Sequence, residues 1–237
     1  MALIALLSGG LDSTVALALA LETGTRGADA LALTFRYGQR SERSEVRAAE
    51  HIARKLGVEH RSLDLPFLRE LAVGPLVGKG GDLPRPDEVD LEPGAGKARE
   101  GAAAVWIPHR NGLFVAIAAT LADARGGGKI VVGFNREEGE TFPDNSLPYL
   151  EAVNHALRFA TREDVEVVSP TANLDKTDIL REGFRTSAPL DRIHSCYEDR
   201  DPFCGTCESC ARLRRGLERS GHLRDFLAMR GWERFPG

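Results

Sequence analysis

A short turn near the start of the chain, Ser8-Gly9-Gly10-Leu11-Asp12-Ser13, constrains the fold more than any other segment. It follows an apolar run from Ala2 to Leu7, which is typical of a buried strand, and precedes a second apolar run that begins after Thr14. Glycines let the backbone adopt positive φ and approach a ligand closely. The Asp-Ser-Thr sequence favours the start of a helix, where exposed amides bind anions. The turn therefore predicts a phosphate site between a strand and a helix.

This turn differs from the P-loop of GTPases, because the Gly-Lys-Ser/Thr sequence of that loop is absent. A glycine turn that binds nothing is the simpler interpretation, but the preceding strand and the hydroxyls of Ser8, Ser13 and Thr14 favour a phosphate site. Ser-Gly-Gly-x-Asp-Ser after an N-terminal strand resembles the pyrophosphate loop of the ATP pyrophosphatases. The resemblance implies cleavage of ATP between its α and β phosphates and adenylation of a carbonyl or carboxylate oxygen.

Composition places the chain among ordinary globular proteins. It has 237 residues, of which 42% are hydrophobic and 28% are charged, and a formal net charge of -4. This length accommodates one large domain with a small appendage. The negative charge argues against a nucleic-acid partner held by a broad basic surface. The apolar runs are too short for a membrane span and no basic region precedes the first of them, so we expect a cytoplasmic protein.

Strand and helix patterns alternate along the chain. Strands are expected at 28–35, 61–65, 129–133 and 165–168, and helices at 15–21, 41–56, 113–124, 146–161 and 176–184. The alternation predicts an α/β fold with a doubly wound parallel sheet, whose ligands bind at the carboxyl ends of the strands. We expect this domain over 1–185, with a mobile loop at about 74–101. That loop either closes over a substrate or is a tolerated surface insertion.

All four cysteines lie late in the chain, at Cys196, Cys204, Cys207 and Cys210. Such clustering is unlike a secreted disulfide framework, in which cysteines connect distant segments. Overlapping Cys-x-x-Cys units can place four thiolates around one tetrahedral ion, which favours a closed structural Zn²⁺ site in a small helical segment over 186–237. An iron–sulfur cluster is the second choice, because some sulfur-transferring ATP pyrophosphatases carry one. A redox dithiol and unliganded cysteines are the remaining alternatives.

Three further segments resemble one family of ATP pyrophosphatases, the 7-cyano-7-deazaguanine synthases of queuosine precursor biosynthesis. The segments are Thr34-Phe35-Arg36-Tyr37-Gly38-Gln39-Arg40, Ile107-Pro108-His109-Arg110-Asn111, and Ser195-Cys196-Tyr197 with Cys204-Gly205-Thr206-Cys207-Glu208-Ser209-Cys210. The resemblance implies an adenine nucleotide alpha hydrolase-like fold. It also implies an ATP-dependent carbon–nitrogen ligase, which converts 7-carboxy-7-deazaguanine and ammonia to the nitrile through an adenylated intermediate.

The loop and the resemblance together name the candidate site residues. Those for ATP are Leu7, Ser8, Gly9, Gly10, Leu11, Asp12, Ser13, Thr14, Thr34 and Phe35, the last two for adenine. The candidate catalytic residues are Asp12, Ser13, Lys176 and Arg110, and the candidate substrate residues are Arg110, Asn111 and Asp144. Asp12 is expected to position Mg²⁺, and Lys176 is either a phosphate partner or a solvated lysine. Arg110 can bind a carboxylate with two hydrogen bonds.

Some positions depart from the family pattern. The family's Ser-Gly-Tyr-Pro-Asp-Cys substrate segment is Glu-Thr-Phe-Pro-Asp-Asn at 140–145, and His109 and Arg36 replace a small and an acidic residue. The alternatives are an adenylating paralogue that uses another carboxylate or joins the deazaguanine carboxylate to another amine, and a tRNA-thiolating enzyme. A non-enzymatic alternative is a zinc-ribbon-like binding segment, supported by Arg212-Leu213-Arg214-Arg215. We expect small-molecule partners and no membrane, and a homodimer is compatible with the sequence.

Overall fold

A computed structural model describes residues 2–24, 29–79, 81–85 and 105–237. In these ranges one parallel sheet contains β1 (Ala2–Leu6), β2 (Ala30–Arg36), β3 (Glu59–Asp64), β4 (Gly128–Val131) and β5 (Val165–Val168). The strand order is β3-β2-β1-β4-β5, so the chain reverses its direction across the sheet at β1. Ligands of such sheets bind beyond the carboxyl ends of the strands at this reversal. The predicted parallel α/β sheet is confirmed.

Helices cover both faces of the sheet. The first face carries α1 (Leu11–Glu22), α2 (Glu42–Leu56) and, later in the chain, Lys176–Arg185. The second face carries α3 (Pro66–Leu71), α4 (Arg110–Ala124) and, after the four-residue helix α5 (Arg136–Gly139), helix α6 (Leu147–Ala160). Lys176–Arg185 is α7, and α8 (Glu208–Ser220) and α9 (Leu223–Arg230) follow it. Each face of the sheet has its own cluster of buried apolar side chains, as a doubly wound fold requires.

Local sequence explains where several helices begin and end. Gly57 ends α2 in the left-handed conformation, with φ of 68°. Ser146 begins α6, and its Oγ accepts a hydrogen bond from the Tyr149 backbone N–H. Asp175 begins α7 in the same way, accepting from the Asp178 backbone N–H at 2.9 Å. The Asp175 cap places the first turn of α7, and therefore Lys176, at a defined position.

The C-terminal segment packs on the sheet domain. One cluster of buried side chains runs from Leu3 of β1 through Leu180 of α7 to Leu217 of α8 and Phe226 of α9. The segment 186–237 therefore shares its core with the first face of the sheet. The division into 1–185 and 186–237 stays a prediction. In the described ranges, no helix combines the length and the apolar character that crossing a membrane requires.

The first part of the predicted mobile loop is packed. Val77 and Leu83 are buried, and the Arg40 backbone N–H donates to the Leu76 carbonyl at 2.8 Å. The Glu208 backbone N–H donates to the Pro84 carbonyl at 3.0 Å, which ties this stretch to the start of α8. The prediction that this stretch buries little apolar surface is therefore wrong for its first part. Neighbouring elements cover its isolated apolar side chains. Residues 80 and 86–101 of the predicted loop lie outside the described residues.

Candidate functional site

A cavity of about 310 Å³ lies where the carboxyl ends of β1, β2 and β4 meet. This is the edge of the sheet at which the strand order predicts a ligand. The predicted site residues that line it are Leu7, Ser8, Gly10, Leu11, Asp12, Ser13, Thr34, Phe35, Arg110, Asn111 and Lys176. Gly9, Thr14 and Asp144 do not line it. The structure therefore brings together candidate residues from four separate parts of the chain.

Gly9 shapes the turn because α2 packs directly against it. Its φ is +81°, and a Cβ atom would lie 2.6 Å from the Glu45 carbonyl oxygen. Gly10 then begins α1 in an extended conformation. Only glycine meets both the backbone and the steric requirement at position 9. The close approach of α2 fixes the turn at the floor of the cavity.

Two serines supply donors on the wall of the cavity. The Oγ atoms of Ser8 and Ser13 lie 3.0 Å apart, and the Ser8 backbone N–H donates to Ser13 Oγ at 3.2 Å. The Gly10 backbone N–H donates to Ser8 Oγ at 3.3 Å. Thr14 is fully buried, and its hydroxyl donates to the Gly10 carbonyl at 2.6 Å. Ser8 and Ser13 thus face the cavity, whereas Thr14 supports the turn from behind.

Lys176 joins the turn from the first residue of α7. Its Nζ donates to Asp12 Oδ2 and, at 3.0 Å, to Glu138 Oε1. Burial alone would lower the pKa of Lys176, but the carboxylates of Asp12 and Glu138 outweigh burial and hold that pKa above its usual value. Burial raises the pKa of Asp12 to about 6, although Lys176 opposes this shift. Lys176, whose side chain is 12% exposed, therefore lies between two carboxylates that stabilise its charge.

Asp12 keeps one carboxylate oxygen for a further partner. Oδ2 contacts Lys176, whereas Oδ1 is buried and has no hydrogen-bond partner among the described residues. A buried carboxylate oxygen without a partner is costly unless a donor or a cation satisfies it. Carboxylate oxygens are the ligands that Mg²⁺ prefers. The residues present therefore fit a Mg²⁺ ion at Asp12.

The far end of the cavity contains Arg110, at the start of α4. Its Nη1 donates to Tyr37 Oη at 3.3 Å. Burial raises the pKa of the neighbouring Asp144, and Arg110 and Asn111 oppose this shift. Asp144 Oδ1 is buried without a hydrogen-bond partner among the described residues. The predicted substrate residues thus form one cluster, with Asp144 placed behind the residues that line the cavity.

Aromatic rings form the apolar wall of the cavity. The Phe35 and Phe114 rings are stacked, with centroids 4.1 Å apart and an interplanar angle of 17°. Tyr37 contacts the same Phe114 ring at 5.7 Å between centroids. Planar heterocycles bind well against such surfaces. The cavity combines a polar loop at one end with an aromatic wall at the other.

The four cysteines form a compact group beside this cavity. Their Sγ atoms all lie within 4.8 Å of one another, and those of Cys204 and Cys210 are 3.9 Å apart. The backbone N–H groups of Glu198 and Cys204 donate to Cys196 Sγ at 3.4 and 3.3 Å, which favours a thiolate there. The group can therefore hold a metal ion. Because Cys196 also lines the cavity, the metal-binding segment forms part of its wall.

Comparison with known proteins places this site in a family. A family model described as "Queuosine biosynthesis protein QueC" matches residues 2–221. The chain belongs to the QueC family. That match covers the glycine turn, the cavity and the four cysteines, which lie at 196–210.

Relatives of the QueC family resemble the chain over nearly its whole length. A 7-cyano-7-deazaguanine synthase of Desulforudis audaxviator is 45% identical over 222 residues, covering 93% of this chain and 98% of that protein. The synthase of Carboxydothermus hydrogenoformans is 45% identical (90% and 96% covered), and that of Methanothermobacter thermautotrophicus is 40% identical (92% and 95% covered). The U34-tRNA thiolase NcsA from Methanococcus maripaludis with its 4Fe-4S cluster has a TM-score of 0.49 and 13% identity, covering 98% of this chain and 70% of that chain.

Several polar residues that line the cavity of this QueC-family chain were assigned no site role from the sequence, although four of them lie in the segments that resemble the family. They are Gln39, Glu45, Glu138, His194, Ser195, Tyr197 and Ser209. Gln39 Nε2 donates to Glu45 Oε2 at 2.8 Å and to the Phe35 carbonyl at 3.1 Å, so these two side chains form one polar unit. Glu138 follows β4, and its position after the carboxyl end of a central strand could have identified it as a candidate site residue. Glu45 lies within α2, where the sequence gives no comparable sign.

Proposed function

We propose that the chain is a 7-cyano-7-deazaguanine synthase, an ATP-dependent ligase that converts 7-carboxy-7-deazaguanine and ammonia to the nitrile. Relatives with that name, up to 45% identical over 93% of the chain, support the substrate. One observation carries the proposal: the glycine turn with Lys176 and the Arg110 end belong to a single cavity. A nucleotide and a carboxylate substrate can therefore meet there.

The first step activates the carboxylate. A carboxylate oxygen of the substrate attacks the α-phosphorus of ATP, the bond between the α and β phosphates breaks, and pyrophosphate leaves. The amides of the turn and the Lys176 ammonium stabilise the charge that develops on the phosphate oxygens. When bound at Asp12, Mg²⁺ would neutralise part of the polyphosphate charge. Arg110 would hold the substrate by its carboxylate, in the orientation needed for attack.

The second stage replaces oxygen by nitrogen. Ammonia attacks the adenylated carbonyl carbon, AMP leaves, and the product is the amide. The amide oxygen then attacks the α-phosphorus of a second ATP and pyrophosphate leaves. Loss of AMP and of both protons from the nitrogen gives the nitrile. Water would hydrolyse the adenylate at the same carbon. The apolar wall of Phe35 and Phe114 supports exclusion of water from this step.

We also propose that the four cysteines hold a structural Zn²⁺. All four sulfurs lie close enough to bind one ion, and a closed set of thiolates leaves no position for water. The ion would stabilise the loop before α8 and, through Cys196, one wall of the cavity. The ion would stabilise the fold and would take no part in the reaction.

The activity is tested by incubating the protein with ATP, Mg²⁺, ammonium and 7-carboxy-7-deazaguanine. Mass spectrometry should detect the nitrile, and chromatography should detect AMP and pyrophosphate. Asp12→Asn and Ser13→Ala should remove most of this activity, whereas Asp225→Asn, at an exposed position of α9, should leave it unchanged. ADP as the main product would contradict adenylation. Tight ATP binding with neither amide nor nitrile would contradict the proposed acceptor.

A further inference from the structure

Three consecutive side chains of α5 hold the first turn of α7. Arg136 Nη2 donates to Asp175 Oδ2 at 2.8 Å. Glu137 Oε1 accepts from the Lys176 backbone N–H at 3.1 Å, and Glu138 Oε1 accepts from Lys176 Nζ at 3.0 Å. The short helix therefore fixes both the backbone and the side chain of Lys176.

The second oxygen of Glu137 faces the metal-binding segment. Glu137 Oε2 lies 3.4 Å from Arg212 Nη1 and 3.4 Å from Arg215 Nη2, both on α8. Arg212 also donates to Glu208 Oε1 at 2.9 and 3.0 Å. Glu208 is the first residue of α8, directly after Cys207, and Cys210 lies in the same first turn. A chain of charge-assisted hydrogen bonds thus runs from the cysteine-bearing end of α8 to Lys176.

These charged side chains are largely, though not fully, covered. The side chain of Glu137 is 10% exposed, and those of Arg212 and Arg215 are each 12% exposed. A buried carboxylate between two guanidinium groups is costly to disturb, because removal of one partner leaves a charge without compensation. On the same helix, Arg214 and Glu218 form an ion pair at 2.9 Å with 50% and 40% exposure. Such an exposed pair contributes little, so it supplies a matched control.

We propose that Glu137 is a positioning residue that couples α8 to Lys176. Arg212 and Arg215 hold one oxygen of Glu137, and its other oxygen holds the backbone from which the Lys176 side chain reaches Asp12. The end of α8 that bears Cys207 and Cys210 thereby sets the position of the cation at the glycine turn. The inference rests on the proposed function, in which Lys176 contacts the phosphates of ATP.

The test measures binding of a non-hydrolysable ATP analogue with Mg²⁺ by calorimetry. Glu137→Ala and Lys176→Met should each weaken binding by roughly tenfold, whereas the double variant should be no weaker than Lys176→Met alone, because residues that act through one another are not additive. Arg212→Met should also weaken binding by roughly tenfold. The double variant of Arg212→Met and Glu137→Ala should bind no more weakly than Glu137→Ala alone. Glu137→Gln, which keeps an acceptor for the Lys176 N–H, should recover part of the affinity. Glu218→Gln should bind as the unaltered chain does.

Elemental analysis and circular dichroism accompany each variant. The inference requires that Glu137→Ala keeps its metal content and its helical signal while it loses ATP affinity. Additive losses in the Glu137 and Lys176 double variant would overturn it, as would unchanged affinity in Glu137→Ala or loss of the metal from that variant. Because this measurement uses no acceptor, a failure to form the nitrile would contradict the proposed function and leave the coupling result standing.

Discussion

Gly9 and Gly57 both lie in the left-handed region of the backbone, yet a side chain would have different consequences at the two positions. A Cβ at Gly9, with φ of +81°, would lie 2.6 Å from the Glu45 carbonyl oxygen. A Cβ at Gly57, with φ of +68°, would have no atom within 4 Å. The backbone conformation penalises alanine at both positions, but only at Gly9 must α2 also move. The difference in stability between the two alanine variants therefore measures the packing of α2 on the glycine turn.

We predict that Gly9→Ala destabilises the protein much more than Gly57→Ala. The strain of the left-handed backbone costs roughly 1 kcal/mol at each position, and displacement of α2 adds roughly 1–3 kcal/mol at Gly9 alone. Urea unfolding of both variants measures the two free energies. Gly9→Ala should also weaken ATP binding, whereas Gly57→Ala should not. Equal losses at the two positions would show that α2 does not constrain the turn.

We predict that Arg110 and Asp144 both contribute to use of the acceptor. Arg110 lines the cavity, so its removal would leave a polar group of the substrate unpaired, and removal of Asp144 would take away the carboxylate that lies beside Arg110 and Asn111. Arg110→Ala and Asp144→Ala should each lower acceptor-dependent AMP release by roughly tenfold to a thousandfold. ATP affinity should stay nearly unchanged, as should the activity of Arg158→Ala, at an exposed position of α6. Full activity in either site variant would remove that residue from the substrate site.

At the scale of single residues, the sequence predicts site residues that belong to one contiguous motif. It does not predict residues that reach the cavity only because separate elements pack together. Ser8, Asp12 and Ser13 share a contiguous motif, and the structure places them on one cavity wall. Glu45 and Glu138 come from α2 and α5, and their proximity depends on how those elements pack. Paired glutamates are common on solvated helix surfaces. Spacing alone therefore could not distinguish Glu138 from an exposed glutamate.

At the scale of elements, helix α8 links the cysteines to the cavity. It begins after Cys207 and contains Cys210, while Ser209 and Leu213 line the cavity. The sequence predicted the cysteine group from its spacing and a small helical segment around it. It did not predict that this segment would form a wall of the cavity. That contact joins residues far apart in the chain, and no local pattern encodes it.

We predict one tightly bound Zn²⁺ per chain, held by the four cysteines, in a colourless protein. Elemental analysis of the purified protein measures the stoichiometry. Removal of the ion by a chelator should lower the midpoint of thermal unfolding by roughly 10 °C, because the four clustered sulfurs would lose the ion that holds the loop before α8 to the first turn of that helix. Cys207→Ser should have a similar effect, whereas Ser220→Ala, at the far end of α8, should not. A brown protein with iron and acid-labile sulfide would contradict zinc.

At the scale of the whole molecule, alternation of strands and helices was sufficient to predict a parallel sheet with two covered faces. Strand order and register follow from the packing of each crossover, and the sequence pattern did not specify them. The same limit applies to 186–237, whose apolar side chains complete the core under α1 and α7. The cysteines and charged residues of this segment led to the prediction that it is separate from the sheet domain. Its buried side chains, such as Phe203 and Phe226, tie it to the sheet.

This shared core predicts how the molecule unfolds. Phe226 of α9 is 0% exposed and belongs to the same buried cluster as Leu3 of β1. The guanidinium of Arg230 lies over the Phe226 ring at 5.8 Å from its centroid, which adds to the packing. Phe226→Ala should therefore lower the free energy of unfolding by roughly 3–5 kcal/mol. Because the core is shared, the free energy of hydrogen exchange for the amide protons of β1 should fall by the same amount as the free energy of unfolding.

Hydrogen exchange on Phe226→Ala measures protection in β1 directly, and calorimetry shows how many thermal transitions occur. Phe159→Ala, at a side chain that is 81% exposed on α6, is the matched control and should change neither measurement. One transition with reduced β1 protection is expected, because damage in α9 reaches the sheet through shared buried contacts. Two transitions with unchanged β1 protection would instead make 186–237 an independently folding domain. In that case the metal-binding segment could lose its structure while the glycine turn remained folded.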